Sequence, residues 1–184
     1  MMIGDYYNRN GYWLGRDKFD DNKVYLADAV NKDAKGLVTE ATNKQELSIS
    51  HDDFRKQAAT VYAESSAYKK STVSDNLQKE MYSIASIYQR NNIAYGADAP
   101  KSKEYLSLTP EKINESSFKT TSNAAVINAL TGGFDYSFGA NMWDAREQAL
   151  FHYATWKANI GKNFRAPQIK VSPANYGAYK NKGK

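Results

Sequence analysis

The chain has 184 residues, of which 41% are hydrophobic and 24% are charged, enough for one domain with its own core. It contains no cysteine and two histidines, which excludes cysteine catalysis, zinc–cysteine sites and a three-histidine zinc site. The mean hydropathy is −0.72. No apolar run approaches the ~20 residues of a membrane span, and the first residues lack a signal-peptide pattern, so membrane insertion is not predicted.

The formal net charge of +5 originates at the C-terminal end. Residues 162–184 carry six of the 25 Lys and Arg and none of the 20 Asp and Glu, which leaves 19 against 20 in the rest of the chain. We expect this tail to be loosely ordered, and it either holds the protein near an anionic polymer, such as peptidoglycan or nucleic acid, or is a solvated end. Because the remainder has no basic excess, no nucleic-acid partner is predicted.

The first 49 residues read as short strands. Asn10-Gly11 lies between aromatic-rich arms and is a strong hairpin signal. Residues 23–27 and 36–39 indicate further strands. We therefore predict a small β-hairpin-rich N-terminal segment over residues 1–49.

From residue 50 the pattern becomes helical. Residues 50–161 are predicted to form a mainly α domain that carries the β-rich segment as an appendage. The predicted helices run from Ser50 or Asp52 to about Tyr68, from Ser74 to about Asn92, from Pro110, from Thr121 to Leu130, and from about Met142 to Asn159.

Glu64 has an unusual position on the first of these helices. Phe54, Ala58, Val61 and Ser65 form one stripe at three- and four-residue spacing, and Glu64 projects about 80° from its centre. A carboxyl at such a border is partly shielded from water, which favours the protonated form that a general acid needs. The alternative is an ordinary surface carboxylate of an amphipathic helix.

The second informative stretch is the loop from Thr131 to Asp144. It combines glycines, aromatic rings and short polar side chains, the mixture with which carbohydrate sites stack on sugar faces and bond sugar hydroxyls. Aromatic loops also pack onto protein cores, so composition alone leaves both interpretations open.

Three segments in order resemble the cell-wall hydrolase family whose best-known members are the spore-cortex-lytic enzymes. The family has a helix ending in a Val-Tyr-Gly-Glu-Ala-Arg-like segment, then a helix ending in an Asn-Arg-like pair, then a Gly-x-Asp-x-x-x-Gly-Ala loop followed by an aromatic residue. The matching segments here are 61–66, 81–91 and 133–140 with Trp143. Ser65-Ser66 departs from the family pattern, and a polar insertion follows Tyr68.

The resemblance implies the lysozyme-like fold of lytic transglycosylases and catalysis by Glu64 without a cofactor. The implied reaction cleaves the β-1,4 bond between N-acetylmuramic acid and N-acetylglucosamine in peptidoglycan. One carboxyl is enough if the muramoyl 6-hydroxyl is the nucleophile. A hydrolytic muramidase needs a second carboxyl.

Other side chains are candidate helpers. Glu80, Asp135 and Asp144 are candidates for a second catalytic carboxyl. For Glu80 a helix-terminus charge is the favoured interpretation, and Asp135 is equally well explained as a turn residue. The candidate sugar contacts are Ser65, Tyr136, Ser137, Trp143 and Asp144, the last of which is also a possible helix cap.

The N-terminal segment, with Gly11 to Asp17 and Val24 to Asp28, is similar to segments that precede toxin domains at the ends of large secreted bacterial proteins. That similarity implies an antibacterial effector, such as a type VI secretion cargo, which a dedicated system delivers to the periplasm of a target bacterium. A cognate immunity protein is then an expected partner. The alternatives are a non-catalytic peptidoglycan- or glycan-binding module and, with less support, a nuclease toxin.

Overall fold

Eight strands and five helices make up the described part of the chain, residues 4–19, 21–67, 70–91, 100–139, 142–145 and 157–160 of a computed structural model. In chain order they are β1 (Asp5–Tyr7), β2 (Trp13–Arg16), β3 (Lys23–Leu26), β4 (Ala29–Lys32), β5 (Val38–Thr42), β6 (Gln45–Ser50), α1 (His51–Glu64), α2 (Asp75–Asn91), α3 (Pro100–Leu106), α4 (Pro110–Asn114), α5 (Ser117–Leu130), β7 (Met142–Ala145) and β8 (Lys157–Ile160).

The N-terminal strands form a mixed sheet in the order β2-β1-β3-β6. β1 pairs with β2 in the predicted antiparallel hairpin, and it pairs in parallel with β3. Tyr6 lies opposite Tyr25 in that parallel pair, and their rings stack with centroids 4.9 Å apart. β4 and β5 form a separate antiparallel ribbon between β3 and β6 in the chain.

Sheet and helices share one hydrophobic core. Tyr7, Val24 and Leu47 from the strands belong to the same buried cluster as Phe54 and Ile84 from the helices. The prediction of a mainly α, lysozyme-like domain with a small β-hairpin-rich appendage is therefore wrong, and the fold is mixed α/β. Strands of three to six residues give weak local signals, and the parallel pairing of β1 with β3 is a contact that local sequence does not reveal.

Four helices begin at side-chain caps. The oxygens of Ser50, Ser74, Thr109 and Ser116 each accept a hydrogen bond from the backbone N–H three residues further on. The first three caps confirm the predicted helix starts. The fourth makes α5 begin four residues before Thr121, where the sequence placed it.

The prediction of a last helix from Met142 to Asn159 is wrong for both ends of that segment. Residues 142–145 and 157–160 are instead the parallel strands β7 and β8. Its middle, residues 146–156, lies outside the described residues, as does the basic tail 162–184. The proposed division at residues 49 and 161 stays a prediction.

The N-terminal hairpin turn contacts α5 closely, and this contact gives a testable expectation. Gly11 has φ +83°, and a Cβ there would overlap the carbonyl oxygen of Thr120 and lie 2.6 Å from the nitrogen of Ala124. We expect Gly11→Ala to lower the free energy of unfolding by about 3 kcal/mol or more, because strain and overlap add. Urea denaturation of the full chain measures it.

Gly36→Ala is the matched control. Gly36 has φ +79° with no atom within 4 Å of its would-be Cβ, so only backbone strain of about 1–2 kcal/mol is expected. Equal losses in the two variants would show that the Gly11 contact with α5 does not stabilise the protein.

Candidate functional site

Glu64 is the last residue of α1, which ends about four residues before the predicted end at Tyr68. Phe54, Ala58, Val61 and Ser65 are each at most 1% exposed, so the predicted buried stripe is confirmed. Glu64 is half-buried at its border. The Ser65 N–H donates to the carbonyl of Val61 at 3.1 Å, and the helix ends there.

Glu80 reaches this helix end from α2. It is 1% exposed, and its Oε1 accepts a hydrogen bond from the Ser66 N–H at 2.6 Å. Ser66 follows Glu64 by two residues, so their Cα atoms are at most about 7.6 Å apart. The fold thus brings Glu80 to the chain beside Glu64, although the two are 16 residues apart in sequence.

The same short segment is held by further hydrogen bonds. The Ser65 hydroxyl donates to the carbonyl of Tyr62 at 2.9 Å and accepts from the Ala67 N–H at 3.3 Å. Ser65 is 1% exposed, which favours a structural role over the predicted sugar contact. Together with the hydrogen bond to Glu80, these hydrogen bonds fix the backbone conformation directly after Glu64.

Asp135 organises the glycine-rich loop after α5. Its carboxylate accepts hydrogen bonds from the N–H groups of Ser137 at 2.8 Å and Gly139 at 2.9 Å, and it lies 2.6 Å from Arg90 on α2. Burial raises the pKa of Asp135, but the hydrogen bonds from Ser137 and Gly139 and the charge of Arg90 leave it below its ordinary value. Asp135 is therefore an ionised anchor of the loop.

The aromatic side chains of this loop form a cluster on α2. Tyr136 packs edge-on against Tyr82 and Phe134, with centroids 6.1 and 4.7 Å apart. Phe134 and Phe138 remain 58% and 57% exposed. Phe138 has φ +52°, a strained conformation for a bulky residue. The loop's hydrogen bonds thus hold two phenyl rings in solvent.

The predicted site residues therefore fall into two groups. At 100° per residue, Tyr82 lies about 160° around α2 from Glu80, so the aromatic cluster and the Glu64–Glu80 end face different sides of that helix. Ser137 is fully buried, and its hydroxyl receives a hydrogen bond from Arg90 at 2.6 Å, so it supports the loop. The sequence analysis assigned no role to Arg90. The only feature that could have indicated one is its place near the end of segment 81–91, which resembles the second helix of the cell-wall hydrolase family.

Trp143 and Asp144 lie in β7, opposite Ala158 and Asn159 of β8. The structure describes the strand that contains these two residues but not their side chains. Their assignment as sugar contacts stays a prediction.

A buried polar cluster that the sequence did not predict joins β1 to the start of α1. Asp5 is 3% exposed; its Oδ1 accepts from the Trp13 indole N–H at 2.6 Å and lies 3.6 Å from Arg16. Its Oδ2 lies 3.0 Å from Nδ1 of His51, whose Nε2 lies 2.9 Å from the Tyr7 hydroxyl. This arrangement fits a neutral imidazole that donates from Nδ1 and accepts from Tyr7.

The pKa values of His51 and Asp5 in this cluster are shifted in opposite directions. Burial lowers the pKa of His51 to about 3, and the charges of Arg55 and Arg16 act the same way. Burial raises the pKa of Asp5 to about 6, against the opposing effects of Trp13 and Arg16. At pH 7 the cluster therefore holds an ionised Asp5 beside a neutral His51.

These shifts predict a specific acid response. Between its ordinary pKa of 6.5 and about 3, His51 binds a proton only in the unfolded chain, so its contribution to stability is lost as the pH falls. Between about 6 and 3.8, Asp5 binds a proton only in the folded chain, so its contribution rises as the pH falls. His51 has the larger shift, so we expect a net loss of stability on acidification.

Two variants separate the contributions. Asp5→Asn removes the compensating proton uptake, so its urea midpoint is expected to fall more steeply than that of the wild type between about pH 6.5 and 4.5. His51→Gln leaves the Asp5 contribution uncompensated, so its urea midpoint is expected to rise relative to that of the wild type as the pH falls through the same range. Parallel curves for all three proteins would contradict this account.

Within the described residues, no group of three or more His, Cys, Asp or Glu side chains is arranged to bind a metal ion. Among the helices that the structure describes, none has the length and apolar character needed to cross a bilayer.

No protein-family model, no curated protein and no solved structure matches this chain. The family resemblance of its three segments therefore stays a prediction. Any functional conclusion depends on the site itself.

Proposed function

We propose that the protein is a peptidoglycan-degrading glycosidase that cleaves the β-1,4 bond between N-acetylmuramic acid and N-acetylglucosamine. The observation that carries the proposal is the end of α1. There, half-buried Glu64 is followed by a segment that the buried carboxylate of Glu80 holds through Ser66. A general acid has to be partly shielded and held in position, and the half-buried position of Glu64 and the hydrogen bond that holds the backbone two residues after it support this role.

In this mechanism Glu64 is the only catalytic carboxyl. It donates its proton to the glycosidic oxygen as the bond to muramic acid C1 breaks. It then takes the proton of the muramoyl 6-hydroxyl as that oxygen bonds to C1 and closes a 1,6-anhydro ring. Donor and acceptor are the same carboxyl, so no second carboxylate is required.

The state of two other candidate acids, Glu80 and Asp135, favours this one-carboxyl chemistry over a hydrolytic muramidase. Glu80 is 1% exposed and engaged with Ser66, so a positioning role suits it better than contact with substrate. Asp135 is ion-paired with Arg90 and accepts hydrogen bonds from two N–H groups of its own loop, so its oxygens are engaged in holding that loop and not placed to activate a water. The lytic transglycosylase is therefore the preferred form of the proposal.

The biological setting proposed for this activity rests on the sequence resemblance of the N-terminal segment. An antibacterial effector of this kind acts in the periplasm of a target bacterium after delivery by a dedicated secretion system. The producing cell then needs an immunity protein that binds the toxin.

Mass spectrometry of the soluble products from peptidoglycan sacculi tests the proposal. Muropeptides ending in 1,6-anhydromuramic acid are expected with the wild-type protein. Reducing-end products would replace the transglycosylase by a muramidase with an unidentified second carboxyl. If no soluble fragment is released, the enzymatic proposal fails.

A non-catalytic glycan-binding module is the second candidate, and the exposed rings of Phe134 and Phe138 favour it. This module would bind insoluble peptidoglycan without releasing fragments. Its binding would be lost in Phe134→Ala and Phe138→Ala and unchanged in Glu64→Gln. A pelleting assay run beside the product analysis separates the two functions.

A further inference from the structure

A cleft of about 690 Å³ opens between β6, the first half of α1 and the C-terminal ends of α2 and α5. Its volume lies within the range of about 300–1,000 Å³ that small-ligand sites occupy. None of the site residues predicted from the sequence lines it. Two features of its lining indicate what it holds.

The first feature is a pair of buried polar side chains that face the cleft without a partner. Gln57 and Tyr88 are 9% and 7% exposed and line it from α1 and α2. Neither the Gln57 amide nor the Tyr88 hydroxyl has a hydrogen-bond partner in the described parts of the chain. The one fully enclosed side-chain polar atom without a partner there is Nε of Arg16, so the amide and hydroxyl open onto the cleft.

Unpartnered groups of this kind indicate a ligand that both donates and accepts hydrogen bonds. A glutamine amide offers N–H donors and a carbonyl acceptor side by side, and a tyrosine hydroxyl does both at one atom. An amide group of a ligand is the natural complement to Gln57. A sugar hydroxyl is the complement to Tyr88.

The second feature is that the charges at the cleft neutralise each other. Lys56 Nζ lies 3.9 Å from Asp53 Oδ1, one turn apart on α1, and both residues line the cleft. The cleft therefore offers no net charge to select an ion. Ile49 and Leu130 add apolar surface, and the aromatic loop begins directly after Leu130.

We propose that this cleft binds an uncharged N-acetylated amino sugar of a glycan chain, with Gln57 on the acetamido group and Tyr88 on a sugar hydroxyl. Ile49 and Leu130 would contact the acetyl methyl and the sugar face. A stem peptide also offers amides, but its termini and acidic side chains are charged, and the neutralised pair Asp53–Lys56 gives them no partner. The assignment of an amino sugar deepens the proposed function and rests on it for the choice of glycan.

Glu64 does not line the cleft. Gln57 precedes Glu64 by seven residues, which places them about 10 Å apart along α1 on the same side of the helix. Thr60, between them on that side, is fully buried. The cleft is therefore a second contact point for a glycan and not part of the proposed catalytic centre.

Titration of the full-length Glu64→Gln protein with tri-N-acetylchitotriose, followed by calorimetry or NMR, tests the inference without any turnover. We expect saturable binding, and about a tenfold weaker affinity in Gln57→Ala and in Tyr88→Phe, each in the same background. Gln78→Ala and Tyr12→Phe, at exposed positions away from the cleft, are the matched controls and should bind unchanged. Circular dichroism verifies that each variant is folded.

Absence of chitotriose binding at millimolar concentration would overturn the inference, as would equal affinity in the cleft variants and controls. Binding of a peptidoglycan stem tetrapeptide instead, weakened by Tyr88→Phe, would assign the cleft to peptide and also overturn it. If chitotriose binds at the cleft while the wild-type protein releases no muropeptides, the cleft assignment stands and the enzymatic proposal fails.

Discussion

Glu64→Gln is expected to abolish release of soluble muropeptides, with a fall in rate of at least about 10²-fold and up to about 10⁴-fold. The amide keeps the size of the side chain but can neither donate the acid proton nor accept the proton of the 6-hydroxyl. The measurement is the initial rate of muropeptide release from sacculi, quantified by mass spectrometry. Because the change removes both halves of a two-step proton exchange, no other single substitution is expected to cost as much.

The fold of this variant is expected to remain intact. Glu64 lies at the C-terminal end of α1, whose last turn has no basic residue, so its negative charge gains nothing from the helix dipole. Removing that charge should therefore cost no dipole stabilisation, and the amide keeps the size and the hydrogen-bonding capacity of the side chain. Urea denaturation beside the activity assay tests this.

Glu111→Gln is the control for Glu64→Gln, since Glu111 is an exposed glutamate in the first turn of α4. It makes the same chemical change on a different helix and should retain full activity. If Glu64→Gln keeps activity close to that of Glu111→Gln, Glu64 is not the acid and the proposed mechanism is wrong.

Glu80→Ala is expected to cause the second-largest loss, about 10²-fold in activity, through misplacement of Glu64. The substitution removes the acceptor of the Ser66 N–H and leaves that donor unpaired in a partly buried position. The chain after Glu64 is then free to move, and a general acid displaced by about 1 Å loses much of its effect. A loss of stability of about 1–3 kcal/mol should accompany the change.

Glu80→Gln separates positioning from chemistry. Its amide oxygen can still accept from Ser66, so we expect most of the activity to return, with the pH profile of the wild type. A catalytic role predicts the opposite, because an amide cannot transfer a proton. If Glu80→Gln is as inactive as Glu64→Gln, Glu80 is a second catalytic carboxyl and the muramidase becomes the better proposal.

Features governed by neighbours within about one helical turn could be predicted from the sequence. Ser50 and Thr109 cap helices through N–H groups three residues away, and the buried stripe of α1 repeats at three- and four-residue spacing. The half-buried position of Glu64 follows from that spacing. The hairpin around Asn10-Gly11 is likewise local, since the Asn8 side chain accepts hydrogen bonds from the N–H groups of Asn10 and Tyr12, and Gly11 supplies the positive φ of the loop.

The site beyond Glu64 depends on contacts that local patterns do not encode. The Glu80–Ser66 bond joins residues 14 apart, the Arg90–Asp135 pair joins residues 45 apart, and the Asp5–His51 contact joins residues 46 apart. Each contact needs two elements to be packed together before its atoms are within reach. The sequence around one residue of such a pair contains no pattern that identifies the other residue.

The fold class was mistaken for the same reason. A helix satisfies its backbone hydrogen bonds within one segment, so the spacing of apolar residues in that segment predicts it from the sequence alone. A strand satisfies them only with a partner elsewhere in the chain, as β1 does with β3 and β7 with β8. Local chemistry thus specified the helix starts and the carboxyl at the end of α1, whereas long-range packing decided the sheet, the common core and the side chains that surround that carboxyl.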